Sequence, residues 1–219
     1  MDNNTVNSSI TLCPVCACCS GHYSVLADNY KIAKCPNCGL EYTTPKPTDA
    51  ELTSFYSDYA DVRANPEITV LNATRNLDLL RIYGLNDQSI ILDFGCGNGE
   101  FVEIAGERCF GIELSMGKKK ERIFNHISEL PIQKYDFITL WGVLEHLNDP
   151  VRVLMELKGK LRVGGTIVLT TVDAEGLIPY YYKPPEHLTY WTANAMHYLF
   201  ENNNFEIKKI QPYEMCQLS

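Results

Sequence analysis

The chain has 219 residues, nine of them cysteine, with 45% hydrophobic content and a formal charge of −8. That charge argues against tight non-specific nucleic-acid binding, which depends on basic surface. No apolar run reaches the length of a membrane span and Met1-Asp2-Asn3-Asn4 lacks a signal-peptide pattern, so the expectation is a cytoplasmic protein with neither a membrane nor a nucleic-acid partner.

The first informative segment is Cys13–Cys38, which holds six of the nine cysteines. In a reducing compartment such a cluster points to metal more often than to disulfides. Cys13-Pro14-Val15-Cys16 and Cys35-Pro36-Asn37-Cys38 form two Cys-x-x-Cys knuckles, and Tyr23, Val25, Leu26, Tyr30, Ile32 and Ala33 between them suit short strands. Four thiolates so spaced suit tetrahedral Zn²⁺, and residues 1–47 look like a zinc ribbon. Cys18 and Cys19 are alternatives to Cys16, but the Pro and Gly flanks favour Cys13, Cys16, Cys35 and Cys38 as ligands. A unit this small buries too little core to fold alone, so metal would supply its stability, on the order of 10 kcal/mol. Whether the ribbon is a structural knob or contacts substrate or a partner stays open.

Residues 48–88 read as a linker and N-terminal helices. Thr44-Pro45-Lys46-Pro47 is extended, and Thr48 with Glu51 forms a capping box for a helix carrying Leu52, Phe55 and Tyr56. A second helix is expected from Thr69 to Tyr83, with Val70, Ala73, Leu77 and Leu80 on one face and Gly84 as its stop. Tyr56 and Tyr59 either pack inward or close over a ligand.

From residue 89 to 219 strands and helices alternate, which predicts an α/β, Rossmann-like, mostly parallel sheet with helices on both faces. The first strand, Ile90–Phe94, contains Asp93 and stops at a turn with Gly95, Cys96, Gly97 and Gly99. Such a turn lets backbone approach a nucleotide-type ligand, but its spacing is not that of dinucleotide enzymes. The second strand, Cys109–Ile112, ends at Glu113, whose carboxylate can accept both hydroxyls of a ribose. A third, Arg122–Phe124, leads to Asn125-His126; the short link with Gly117 and Lys118-Lys119-Lys120 leaves little or no helix between them. The fourth strand, Tyr135–Trp141, runs through Gly142 into Leu144-Glu145-His146-Leu147, then to a helix with Asp149 as N-cap and Pro150 as first residue. After a Gly164-Gly165 turn comes a fifth strand, Thr166–Val172, and a loop bearing Tyr180-Tyr181-Tyr182 that ends in Glu186-His187-Leu188-Thr189-Tyr190-Trp191. The last helix buries Ala195, Met196, Leu199 and Phe200, and Phe205–Ile210 forms one more strand. Gln211–Ser219 scarcely suffices for a final antiparallel strand, so the domain is either C-terminally truncated or abbreviated.

Over Ile90–Ile210 these motifs resemble class I S-adenosyl-L-methionine (SAM)-dependent methyltransferases. The resemblance implies that SAM lies against Asp93, Gly95, Cys96, Gly97, Gly99, Glu113, Leu114, Asn125, His126, Trp141 and Gly142. The Glu186-His187 pair followed by an aromatic is similar to zinc-ribbon sugar C-methyltransferases. It implies His187 as general base with Glu186 and Tyr190 beside it, His146 as rival, and a nucleotide-linked or polysaccharide sugar as acceptor, placing the chain in carbohydrate biosynthesis. O-methylation is the runner-up to C-methylation. The rival readings are a zinc-ribbon adaptor whose methyltransferase fold binds SAM but is inactive, and a dehydrogenase, which the glycine spacing disfavours. The sequence does not indicate an oligomeric state.

Overall fold

The computed structural model describes residues 11–19, 22–27, 29–59, 65–114, 120–176 and 181–213. Strands β1 (His22–Ala27), β2 (Tyr30–Lys34) and β3 (Glu41–Thr44) form an antiparallel meander between and after the two cysteine knuckles. Helix α1 (Asp49–Tyr59) opens with the expected capping box: the Thr48 N–H donates to Glu51 Oε2 at 2.7 Å and the Glu51 N–H to Thr48 Oγ1 at 3.2 Å. Helix α2 (Pro66–Ile82) starts three residues before the expected Thr69. Asn65 caps it, accepting from the N–H groups of Glu67 and Ile68, and Pro66 fills the first turn where its missing N–H costs nothing.

A parallel sheet follows: β4 (Ile91–Phe94), β5 (Cys109–Ile112), β6 (Ile123–Phe124), β7 (Tyr135–Trp141) and β8 (Leu161–Thr170), in the order β6-β5-β4-β7-β8. Helix α3 (Glu100–Ala105) follows β4, α4 (Pro150–Lys160) precedes β8, and α5 (Ala193–Asn202) closes the domain. Side chains alternate across the strands. Ile91, Cys109, Ile123 and Phe137 face α2 and α3 through Ala73, Leu77, Leu80, Phe101 and Val102. Leu92, Ile112, Ile138 and Leu140 pack on the other face with Leu157 of α4. Both faces are therefore covered, as a parallel sheet requires.

Two expectations change. The Gly164-Gly165 turn lies inside β8: the ladder steps from Tyr135↔Leu161 to Phe137↔Thr166, so the glycines bulge out, Gly164 at φ 78°, and the strand ends at Thr170. Residues 205–210 do not form a strand; this segment lies beside β8 through the Lys208 amine and Thr166 Oγ1 at 3.1 Å. No final antiparallel strand occurs among the described residues. Gly117, Lys118, Lys119 and Tyr180 lie outside the described residues, as do the side chains of Tyr56 and Tyr59.

The ribbon does not stand apart from the larger sheet's layers. A two-residue strand, β9 (Thr189–Tyr190), joins the meander antiparallel to β3, with Tyr42↔Thr189 and Glu41↔Tyr190 as partners. Cys13, Cys35, Cys38, Leu40 and Tyr42 share one buried cluster with Leu144, Leu154, Trp191, Ala195 and Leu199. Trp191 is at its centre, 2% exposed, with Nε1 donating to Thr189 Oγ1 at 3.0 Å. Trp191→Ala should therefore cost about 3–5 kcal/mol in urea unfolding; a loss below about 1 kcal/mol would show that the two parts do not share a core.

Candidate active site

Asp93, at the end of β4, is 2% exposed, and its carboxylate accepts the Thr139 hydroxyl at 2.7 Å. Burial pushes its pKa up to about 7 against the Thr139 bond, and the nearby Glu113 charge adds to the rise. The turn beyond it needs glycine for two reasons. A Cβ on Gly95 would come within 2.6 Å of Val143 Cγ2, and one on Gly99 within 2.3 Å of Ile123 Cδ1. Gly97, at φ 53°, faces open space instead, and its N–H donates to Glu113 Oε2 at 3.0 Å. The Glu113 carboxylate thus lies directly against the glycine turn. Trp141 packs edge-to-face on Phe101 at 5.6 Å, and its buried Nε1 has no hydrogen-bond partner among the described residues. The N–H of the next residue, Gly142, donates to Thr170 Oγ1 at 2.9 Å, fixing the ends of β7 and β8 together.

Other expected cofactor residues sit at this edge in different roles. Asn125 donates through Nδ2 to the Glu113 carbonyl at 3.1 Å and so ties β6 to the end of β5. His126 is exposed and precedes a 3₁₀ turn at Ile127–Glu129, and Leu114 is exposed. The Cys96 sulfur lies beneath the sheet, where a Cβ on Gly111 would come within 2.5 Å of it, and burial pushes the thiol up. Cys96 is a packing residue with a glycine opposite to receive it. The Lys120 amine bonds the Asn98 carbonyl across the same turn.

The second half of the site lies beyond β7 and β8. A 3₁₀ turn at Leu144–His146 buries Glu145, whose carboxylate accepts the Thr171 hydroxyl at 2.8 Å and whose carbonyl accepts the Leu188 N–H at 2.8 Å. Burial raises the Glu145 pKa, with the His146 charge opposing. His146 Nδ1 donates to the Glu186 carbonyl at 2.8 Å, which fixes its tautomer. The His146 and His187 rings meet edge-to-face at 5.0 Å, and ligand atoms of Glu145, His146 and His187 lie within 4.8 Å of one another. His187 is 7% exposed; its Nδ1 is buried with no hydrogen-bond partner among the described residues, its ring hydrogen-bonds the Tyr181 backbone, and its Nε2 is 3.9 Å from Glu186 Oε1. Burial holds its pKa down at about 4, with His146 adding to the shift and Glu186 opposing it.

Tyr190 is fully buried and serves the scaffold: its hydroxyl donates to the His187 carbonyl at 3.3 Å and accepts the Lys183 N–H at 3.0 Å. Tyr182, its ring tilted against that of Tyr190 at 4.7 Å, donates to Glu41 Oε2 of β3 at 2.6 Å, and Glu41 also accepts the Lys34 amine at 3.2 Å. Thr43 Oγ1 donates to the His187 carbonyl at 2.8 Å. The sequence assigns no role to Glu41, Thr43 or Tyr182 because these partners are more than a hundred residues away; Glu145 had a signal in its place beside His146.

Cys13, Cys16, Cys35 and Cys38 gather with their sulfurs within 4.8 Å of one another, Cys13–Cys38 at 3.6 Å and Cys16–Cys35 at 3.4 Å. These separations exceed a disulfide bond and approach the edge of about 3.8 Å that follows from tetrahedral Zn–S bonds. Both knuckles turn alike, the Ala17 N–H donating to the Cys13 carbonyl at 2.9 Å and the Gly39 N–H to the Cys35 carbonyl at 3.0 Å. Cys18 and Cys19 fall outside the cluster.

A family model described as a methyltransferase domain matches residues 71–210. A mitochondrial ubiquinone biosynthesis O-methyltransferase of Candida albicans is 32% identical over 114 residues, covering 42% of this chain and 35% of that protein. A tRNA U34 carboxymethyltransferase of Shewanella sp. (strain ANA-3) is 31% identical over 144 residues, covering 57% of this chain and 39% of that protein. The chain thus spans well under two thirds of these relatives' length. Among solved structures, a SAM dependent methyltransferase from Archaeoglobus fulgidus superposes with a TM-score of 0.58 at 20% identity, over 74% of this chain and 79% of that one; at such identity the likeness shows the fold.

The buried histidine has a consequence for stability. His187 is held below its unfolded value, so between pH 6.5 and 4 the unfolded chain binds the extra proton, and stability falls as pH falls through that window. Chemical denaturation should show about 2–3 kcal/mol less loss over this window in His187→Gln than in the wild type. Identical pH slopes would show that His187 titrates normally in the fold.

Proposed function

We propose that this chain, which belongs to the methyltransferase-domain family and is a SAM-dependent methyltransferase, methylates a small-molecule acceptor with His187 as general base. The observation that carries this reading is the buried His187 ring, unpartnered at Nδ1 and flanked by Glu186 and His146, on the segment that follows the carboxyl end of β8. In open α/β sheets ligands lie at the carboxyl ends of the strands. The apposed Gly97 N–H and Glu113 carboxylate, with open space beside Gly97, fit the ribose end of SAM. Bound there, SAM supplies an electrophilic methyl group on a positively charged sulfur that leaves as a neutral thioether.

Burial keeps His187 unprotonated at neutral pH, which leaves its lone pair free but makes it a weaker base than a solvated imidazole. His187 takes the proton of an acceptor O–H or acidified C–H as that atom's electron pair bonds the methyl carbon. The Glu186 carboxylate, 3.9 Å from Nε2, stabilises the imidazolium that develops. His146, already donating to the Glu186 carbonyl, orients that pair. The four clustered thiols would hold one Zn²⁺, a closed structural site without an open position for chemistry.

For the acceptor we favour a sugar-type small molecule, supported by the Glu186-His187-Leu188-Thr189-Tyr190 resemblance. The relatives' names offer other classes, a ubiquinone precursor and tRNA, and none of them names a sugar. A net charge of −8 disfavours RNA. The intact Asp93, glycine turn and Glu113 support retained SAM binding, and turnover separates an enzyme from an inactive SAM-binding adaptor. Incubation with methyl-labelled SAM and separate pools of nucleotide sugars, phenolic quinone precursors and tRNA decides among these by mass spectrometry. Label in a small-molecule pool is expected; label in tRNA alone would overturn the acceptor class.

Glu113→Ala should weaken SAM binding by roughly tenfold or more in calorimetry, since losing hydrogen bonds to a charged group costs about 1.5–3 kcal/mol. Unchanged affinity would remove Glu113 from the ribose site. His187→Ala should lower turnover about 10²–10⁴-fold with SAM affinity intact, and His187→Gln should not rescue it because an amide cannot take the proton. A loss confined to KM would make His187 a substrate-binding residue instead.

A further inference from the structure

We propose that Thr43, on strand β3 of the cysteine ribbon, positions His187 for its task, so that the ribbon acts as the outer brace of the reactive loop. The inference rests on the reading of His187 as the base.

Two things hold the His187 ring. One is a hydrogen bond with the Tyr181 backbone; Nδ1 has no hydrogen-bond partner among the described residues, and Nε2 stands 3.9 Å from Glu186. The other is the position of the residue's own backbone. That backbone is fixed at both ends of the residue. The His187 N–H donates to the Lys183 carbonyl at 2.9 Å. The His187 carbonyl receives two hydroxyls, Tyr190 at 3.3 Å and Thr43 at 2.8 Å. The Thr43 bond is the shorter, is buried, and is the one that comes from outside the loop. The Thr43 N–H also donates to the Leu188 carbonyl at 2.9 Å, so one ribbon residue grips two consecutive carbonyls of the reactive segment.

The neighbouring pairs repeat the pattern. Tyr42↔Thr189 and Glu41↔Tyr190 form the β3–β9 ladder, and Glu41 takes the Tyr182 hydroxyl at 2.6 Å from the other limb of the loop. Strand β3 is in turn locked to β2 by the Ile32↔Thr43 and Ala33↔Tyr42 pairs, and β2 ends directly before Cys35. A continuous backbone path leads from the thiol cluster to the His187 carbonyl. A hydroxyl lost from Thr43 leaves a buried peptide carbonyl served only by the longer Tyr190 bond, and the loop has freedom to shift.

The test needs no acceptor. Full-length protein carrying ring-¹⁵N histidine reports each imidazole by NMR, with His187 assigned from His187→Gln. The groups that face this ring are His146 and Glu145 from the turn after β7, Glu186 and Lys183 from its own loop, and Tyr190 from β9. None is substituted in Thr43→Val, which keeps the shape of threonine and removes the hydroxyl from the His187 carbonyl and from the neighbouring Tyr190 hydroxyl. In the wild type His187 should titrate near 4, and in Thr43→Val its midpoint should rise by a pH unit or more toward the ordinary histidine value of about 6.5. Thr43→Ser, which restores the hydroxyl, should return it to the wild-type midpoint. A His187 midpoint unmoved in Thr43→Val, or moved equally in Thr43→Ser, overturns the proposal. Should Thr43→Val not fold, Thr43→Ala against Thr43→Ser makes the same comparison. Turnover of His187→Ala judges the base reading by itself, so its failure and that of the positioning role are told apart.

Discussion

The pairing of Glu41–Thr44 with Thr189–Tyr190 is the constraint on which the rest of the site depends. A two-residue strand is short, and alone it would contribute little. It is held because Tyr42 below it and Trp191 beside it enter the same buried cluster as Cys13, Cys35 and Cys38. Among the described residues the buried cysteines of the ribbon belong to this shared cluster. A ribbon of this size needs a partner surface or a metal to be stable; here it has the methyltransferase sheet on one side and a four-thiol cage on the other. The loop bearing His187 gains a wall that the parallel sheet alone does not provide.

The two halves of the site use opposite physical means. On the cofactor side the work is done by backbone: left-handed glycines, an N–H turned toward Glu113, and an Asp93 whose burial raises its pKa so that its proton is held more tightly. Around His187 it is done by buried side chains. His187 is kept neutral by burial, and Glu145 is buried with its carboxylate tied to the Thr171 hydroxyl.

Much of this was legible in the sequence where the signal was local. The strands Cys109–Ile112 and Tyr135–Trp141, the Asp149-Pro150 helix start and the Thr48–Glu51 capping box follow from short-range patterns, and the structure has each of them. The thiol set was legible for the same reason, since each knuckle is four residues long. The start of α2 at Pro66 was missed although Asn65-Pro66 is itself a helix-start pair. What the sequence hid was long-range. Nothing in Glu41 or Thr43 signals a bond to residues near 182 or 187, because such contacts are set by how the ribbon docks. Tyr190 is the converse case: its aromatic ring beside His187 suggested chemistry, whereas its hydroxyl is spent on two backbone groups.

The central claim, that the cysteine ribbon and the loop bearing His187 are one mechanical unit, is tested most directly by amide hydrogen exchange on the wild type with one equivalent of Zn²⁺ added and on Cys35→Ser. Cys35→Ser is expected to speed exchange at Thr43, Tyr190 and Trp191 by about tenfold or more, while amides of β4 and β5 keep their protection. Equal exchange at Tyr190 and Trp191 in the two proteins would contradict it, and would leave the ribbon an appendage to the methyltransferase fold.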